Sequence, residues 1–249
     1  SRISLSNNDS GTSNTIFGKN AGLAGLSGGT HNVLIGEDAG NDMTTADHNT
    51  AVGYQSMDLI TTLADGNTAV GHQSLHGNIT TQNIDNCVAI GKQTLCGALE
   101  STAVGTVAVG MQALNALTTG SQNIAVGYQA MKAQTTGHSN VAVGYQSQLN
   151  ANNNAADGNV SVGNFTLDGF GDVALASTTA IGHAALSSAL TSDASGSTAV
   201  GRNALNSLTS GQRSTAVGYY ALANCDDGDN NTAIGWEALE ANAGDNNTA

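Results

Sequence analysis

Asn49-Thr50-Ala51-Val52-Gly53-Tyr54-Gln55-Ser56 returns as Asn67-Thr68-Ala69-Val70-Gly71-His72-Gln73-Ser74 and as Asn140-Val141-Ala142-Val143-Gly144-Tyr145-Gln146-Ser147. Aligned on its glycine, the motif recurs at Gly18, Gly36, Gly53, Gly71, Gly91, Gly110, Gly127, Gly144, Gly163, Gly182, Gly201, Gly218 and Gly235, thirteen copies spaced 17–20 residues apart. That period is too long for a nonapeptide calcium roll and too short for a helical-hairpin repeat, and it fits one coil of a β-solenoid.

Columns across the copies define each environment. The residue before the anchor glycine is Val or Ile in twelve copies, with Phe17 the exception, and the residue two places earlier is always Thr, Val or Ile. Between them stands Ala in ten copies, with Ile16, Leu34 and Ser161 as the others. Branched, small, branched is a period-2 pattern that suits a pleated surface, so this segment reads as a short strand. The glycine allows a tight corner. Three residues beyond it only Ala, Ser or Thr occurs, and four beyond it ten copies carry Leu or Met, with Gly22, Gly40 and Gln148 as misfits. This is a second apolar segment, and the remainder of each copy is rich in turn-forming Asn, Asp, Gly, Ser and Thr. Asn opens the strand in eight copies, which predicts a ladder of stacked side-chain amides.

A lone coil does not repay its ordering entropy of roughly 1–2 kcal/mol per residue, because each buried Val, Ile or Leu returns only ~1.5–3 kcal/mol. Coils must therefore stack at the strand spacing of ~4.8 Å, which predicts a rod of roughly 60 Å. The expected fold is all-β, a parallel β-solenoid or β-roll of about thirteen coils, left-handed and trimeric. An irregular lead-in, residues 1–13, precedes a single repeat domain, residues 14–249. Ser101-Thr102-Ala103-Val104-Gly105 reads as an extra strand-like insertion. The chain stops inside an apparent fourteenth copy, Asn247-Thr248-Ala249, so it is expected to be a piece of a longer polypeptide.

The composition fits a thin solenoid: no Pro, 32 Gly, 4% aromatic and 39% hydrophobic residues. Six basic residues against nineteen acidic ones give a net charge of −13, which argues against nucleic acid as a partner. No apolar run is long enough to cross a bilayer as a helix, so no membrane insertion is expected. Cys87, Cys96 and Cys225 are irregularly spaced and read as small side chains standing in for polar ones. The scattered acids form no convergent set, so no enzymatic activity, cofactor or metal site is expected. Asp226-Asp227-Gly228-Asp229-Asn230-Asn231 is rich in oxygen ligands but lacks EF-hand spacing, and with the Asp-Gly pairs at Asp65, Asp157 and Asp168 it reads as turn chemistry rather than calcium binding. His72 and His76 are set aside as a metal pair because the chain between them is not helical. The sequons at Asn8, Asn78, Asn159, Asn164, Asn230 and Asn246 arise readily by chance in an Asn- and Thr-rich chain.

One column offers a binding candidate. Directly after the anchor glycine stand Tyr54, Tyr128, Tyr145, Tyr219 and Trp236, a row of rings suited to stacking on the sugars of a cell-surface glycan. The competing reading is that they cover the glycine corner.

Asn49 to Ser56 and Asn123-Ile124-Ala125-Val126-Gly127-Tyr128-Gln129-Ala130-Met131 resemble the repeats of bacteriophage tail-fibre proteins, many of which end in a self-cleaving chaperone of the endosialidase type. The opening Arg2 to Asp9, followed by Asn14-Thr15-Ile16-Phe17-Gly18, is similar to the lead-in of such shafts. Cys87-Val88-Ala89-Ile90-Gly91 is similar to the head repeats of trimeric autotransporter adhesins, which have shorter coils. Both resemblances imply a parallel β-roll, three chains packed side by side, in a stiff extracellular fibre. The expected role is a structural rod that mediates or presents attachment to a cell surface, on a virion or as a cell-surface appendage, self-associating laterally and end to end. A bacterial adhesin or self-assembling filament that binds carbohydrate along the aromatic edge is the alternative.

Overall fold

A computed structural model describes residues 11–60, 64–77, 84–100, 103–150, 156–169, 175–190, 194–241 and 244–249. Each copy of the motif forms one three-residue strand. Contacts gather the chain into two compact units, Ser1–Gln122 and Asn123–Ala249. The first holds β1 (Thr15–Phe17), β2 (Val33–Ile35), β3 (Thr50–Val52), β4 (Thr68–Val70), β5 (Val88–Ile90) and β6 (Val107–Val109). The second holds β7 (Ile124–Val126), β8 (Val141–Val143), β9 (Val160–Val162), β10 (Thr179–Ile181), β11 (Thr198–Val200), β12 (Thr215–Val217) and β13 (Thr232–Ile234). Within each unit successive strands pair in parallel without offset, as in Thr50↔Thr68, Ala51↔Ala69 and Val52↔Val70, or Thr198↔Thr215, Ala199↔Ala216 and Val200↔Val217. The chain is a parallel β-solenoid, and among the described residues it has no α-helix.

The middle residue of the strand faces the coil interior. Ala51, Ala69, Ala89 and Ala108 in the first unit, and Ala125, Ala142, Ala180 and Ala199 in the second, are fully buried, while the branched residues on either side are half-buried or exposed. The interior opposite is filled by side chains from the turn after the glycine, among them Met57, Leu75, Leu95 and Leu114. The early copies exchange volume between these two places. Where Leu34 replaces the strand Ala, Gly40 replaces the turn Leu, and a Cβ on Gly40 would lie 2.8 Å from Leu34 Cδ2. Ile16 and Gly22 form the same combination, with a Cβ on Gly22 3.4 Å from Ile16 Cδ1. Total volume is conserved, which is what a close-packed interior tolerates. A third buried column, Leu26, Met43, Ile60, Leu99, Leu117 and Leu208, stands seven or eight residues past the glycine. Cys225 belongs to it, so it packs as a core residue rather than as a turn residue.

The corner glycine has two reasons to be glycine. At Gly71 φ is +136°, and a Cβ would sit 2.5 Å from the carbonyl oxygen of Gly91, so adjacent coils meet backbone to backbone.

The predicted amide ladder is present. Asn32 donates its side-chain amide to Asn14 Oδ1 (3.1 Å) and to the Ala46 carbonyl (2.7 Å), and its backbone N–H also reaches Asn14 Oδ1 (2.8 Å). Asn49 repeats the pattern on Asn32 and Ala64, and Asn140 and Asn159 do so in the second unit. A second ladder runs through glutamines two places past the glycine: Gln73 donates to Gln55 Oε1 at 2.9 Å and Gln93 to Gln73 Oε1 at 3.1 Å. The Asp-Gly turns at Asp65 and Asp157 accept backbone N–H groups from the preceding coil, whereas the Asp168 carboxyl accepts from its own backbone. Asp65 Oδ1 accepts the N–H of Asp47 (2.7 Å), and Asp85 Oδ1 accepts that of Asp65 (2.9 Å).

One sequence reading ends differently. Ser101 and Thr102 lie outside the described residues, and Ala103 to Gly105 form a bend rather than a strand. Ala103 supplies the carbonyl that the Cys87 thiol reaches at 3.0 Å, and Gly105 adopts φ +62°, as its counterpart Gly66 does at +70°. The segment is therefore an ordinary approach to β6. Of the lead-in, residues 1–10 lie outside the described residues, which includes Arg2 to Asp9 and the sequon at Asn8; the sequon at Asn78 does too. Asn247 takes the next rung of the ladder, donating to Asn231 Oδ1 from its backbone (2.8 Å) and its side chain (3.0 Å).

Candidate functional site

The place after each corner glycine projects away from the coil, because the residue before the glycine already faces outward and the glycine turns the chain. Tyr54, Tyr128, Tyr145 and Trp236 are accordingly 42, 38, 42 and 69% exposed, and Tyr219 is half-buried. In the first unit Tyr54 meets His72, with ring centroids 5.2 Å apart and planes tilted by 34°. In the second unit Tyr128 and Tyr145 stack at 5.2 Å with planes 10° apart, and Tyr219 and Trp236 stack at 4.4 Å and 19°. Asn164, His183 and Arg202 separate the two stacks along the column. Of the five, Tyr54 therefore pairs with none of the others, and the remaining four form two pairs.

Phe165, one place beyond the column, was not among the candidates. It stands where Gln is usual, with φ +56°, and its ring meets Tyr145 edge-on at 5.2 Å and His183 at 5.9 Å. Tyr220 occupies the same place beside Tyr219, with centroids 4.5 Å apart. Aromatic residues at that place were the signal for both. In each stack one face of each ring covers its neighbour, a contact worth ~0.5–1.5 kcal/mol beyond area burial. Trp236 is the most exposed of these rings.

A different column gathers reactive side chains. Asn41, Asp58, His76 and Cys96 occupy one place, five residues past the glycine, in four successive coils. His76 Nε2 stands 3.6 Å from Asp58 Oδ2. Burial pushes the Asp58 carboxyl up, opposed by the nearby His76. The Cys96 thiol donates to the Gln73 carbonyl at 2.6 Å, and burial holds its pKa up to about 11, so at neutral pH it is a thiol and a poor nucleophile. Among the described residues no three His, Cys, Asp or Glu side chains converge on a point where a metal ion would sit. The Asp226–Asn231 turn spends its Asp226 carbonyl on the Thr209 and Ser210 backbone N–H groups, and Asp229 Oδ1 accepts from the Gln212 N–H at 2.8 Å. None of the three cysteines is in a disulfide. Of the sequons, Asn159 is buried in the ladder, whereas Asn164, Asn230 and Asn246 are exposed.

Comparison of the chain with protein-family models, with curated proteins and with solved structures returns no match.

Proposed function

We propose that the chain is a structural segment of an extracellular attachment fibre, of the kind found in phage tails, and that it works by presenting a surface rather than by chemistry. One observation carries this reading. In each coil from β2 to β13 the strand buries its middle residue and turns two branched residues outward, so each unit bears rows such as Val52, Val70, Ile90 and Val109, or Val143, Val162, Ile181 and Val200, that are half-buried or exposed. Rows of this kind on a parallel sheet suit side-by-side packing of identical chains, which would cover them. The likeness of the motif to tail-fibre and autotransporter repeats points the same way, as an analogy of fold and motif. Analytical ultracentrifugation with negative-stain imaging tests the proposal. An elongated trimer is expected, and a compact monomer at micromolar concentration overturns it.

The second reading, glycan binding along the aromatic edge, is favoured by the exposure of Trp236 and Tyr145. Glycan-array binding that disappears in a Tyr128→Ala, Tyr145→Ala, Trp236→Ala variant supports it. Binding that survives assigns recognition to another face.

A further inference from the structure

The residue before the ladder asparagine is His in two successive coils. His31 and His48 are exposed, share a φ of 60°, and stack with ring centroids 4.9 Å apart and planes 3° apart. The hydrogen-bond chain beneath them fixes which nitrogen of His31 is free. Asp47 Oδ1 can only accept, so the Thr30 hydroxyl, 2.9 Å away, spends its single proton on that carboxylate. Toward His31 Nδ1, 3.0 Å away, the same hydroxyl must then accept, so Nδ1 carries the hydrogen and Nε2 carries the lone pair. Asp47 is itself anchored by the Thr30 backbone N–H. An imidazole on an exposed side chain whose Nδ1–H is held by a hydroxyl backed by a carboxylate is prepared as a metal ligand.

We propose that His31 and His48 form a two-imidazole site for a borderline divalent transition ion such as Ni2+, Zn2+ or Cu2+, with water completing the coordination sphere. Imidazole nitrogen selects these ions over Ca2+ and Mg2+, which prefer oxygen. Two nitrogens each about 2.1 Å from one tetrahedral ion stand about 3.4 Å apart. Because lone pairs lie in the ring planes, which are parallel in the stack, the rings reach that separation by rotating out of it, His48 about its side-chain torsions and His31 about its Nδ1–H bond to Thr30. Each imidazole binds the ion through a ring-nitrogen lone pair. The site is independent of the aromatic column and of the reading of the chain as a fibre segment.

Calorimetric titration of the 249-residue chain with NiCl2, repeated with CaCl2, tests the assignment. One Ni2+ per chain is expected. His31→Gln and His48→Gln should each weaken binding at least tenfold while keeping the metal-free melting temperature, and His183→Gln should leave binding unchanged. Retention of wild-type affinity in either His31→Gln or His48→Gln overturns the site, as does equal binding of Ca2+ or loss of binding in His183→Gln.

Discussion

Two stretches of the ladder column differ in chemistry and not in register. In the first unit Asn32, Asn49 and Asn67 follow one another, and the backbone N–H of Asn49 and of Asn67 each reaches the preceding amide oxygen at 2.9 Å. In the second unit Thr178, Ser197 and Ser214 hold the same places, and the N–H of Ser214 reaches Ser197 Oγ at 3.3 Å. Yet the strands beside both stretches pair without offset. The amides therefore strengthen the stack, while the register is set by what the two stretches share. What they share is the corner glycine.

The largest expected effect is accordingly the same in both places. Gly71 and Gly182 have φ of +136° and +126°, and a Cβ on either would lie 2.5 Å from the next glycine's carbonyl oxygen. Gly71→Ala and Gly182→Ala should each cost about 4 kcal/mol or more, measured by thermal denaturation, since strain and overlap of backbone atoms combine. A cost below about 1 kcal/mol at either site would mean that the glycine column does not set the stack.

The rungs themselves should differ. Asn49→Ala removes the donor to the Ala64 carbonyl and to Asn32 Oδ1, and takes the acceptor from the Asn67 N–H, all of them buried. The expected loss is about 3 kcal/mol, against about 1 kcal/mol for Ser197→Ala, which gives up one long bond. Equal losses would break the distinction between amide and hydroxyl rungs. Cys87 offers a gain in the same terms. Its thiol reaches Ala103 as an amide would, and its own N–H is held by Asn67 Oδ1 at 2.8 Å, but to the Thr106 N–H it offers a sulfur, a weaker acceptor than an amide oxygen. Cys87→Asn should add about 1 kcal/mol and slow hydrogen exchange at Thr106.

The columns were legible because Gly, Asn, Val, Ala and Leu each answer one demand of a stacked coil, and thirteen copies sample it. Other features depend on the stacking itself. Gln55 and Met57, like their counterparts Gln73 and Leu75, have φ near +52°, although neither residue type favours that region. Bonds to adjacent coils hold them there, Gln55 N–H to the Glu37 carbonyl and Met57 N–H to the Ser74 carbonyl, in opposite directions along the stack. The third interior column was hidden by its shifting offset from the glycine. The aromatic column was legible as a row, whereas its division into pairs depends on Asn164, His183 and Arg202, whose interruption matters only once the coils are stacked. The His31–Thr30–Asp47 chain joins residues of two coils, and nothing within one copy announces it.

The coil that leads into the hydroxyl stretch carries a weakness of its own. Asp168 is half-buried, and burial pushes its carboxyl from 3.8 up to about 6. A raised carboxyl pKa means that the folded chain holds a proton the unfolded chain would release. Its contribution to stability is therefore fully present below about pH 4 and is lost as pH rises through 6. Asp168→Asn keeps the shape and removes the charge, so it should raise the melting temperature at pH 7.5 and leave it almost unchanged at pH 4. Asp65→Asn is the contrast, because Asp65 Oδ1 receives the Asp47 N–H and its carboxylate is in use. That variant should stabilise at neither pH. A rise for Asp168→Asn that is equal at the two pH values would trace the effect to packing instead of ionisation.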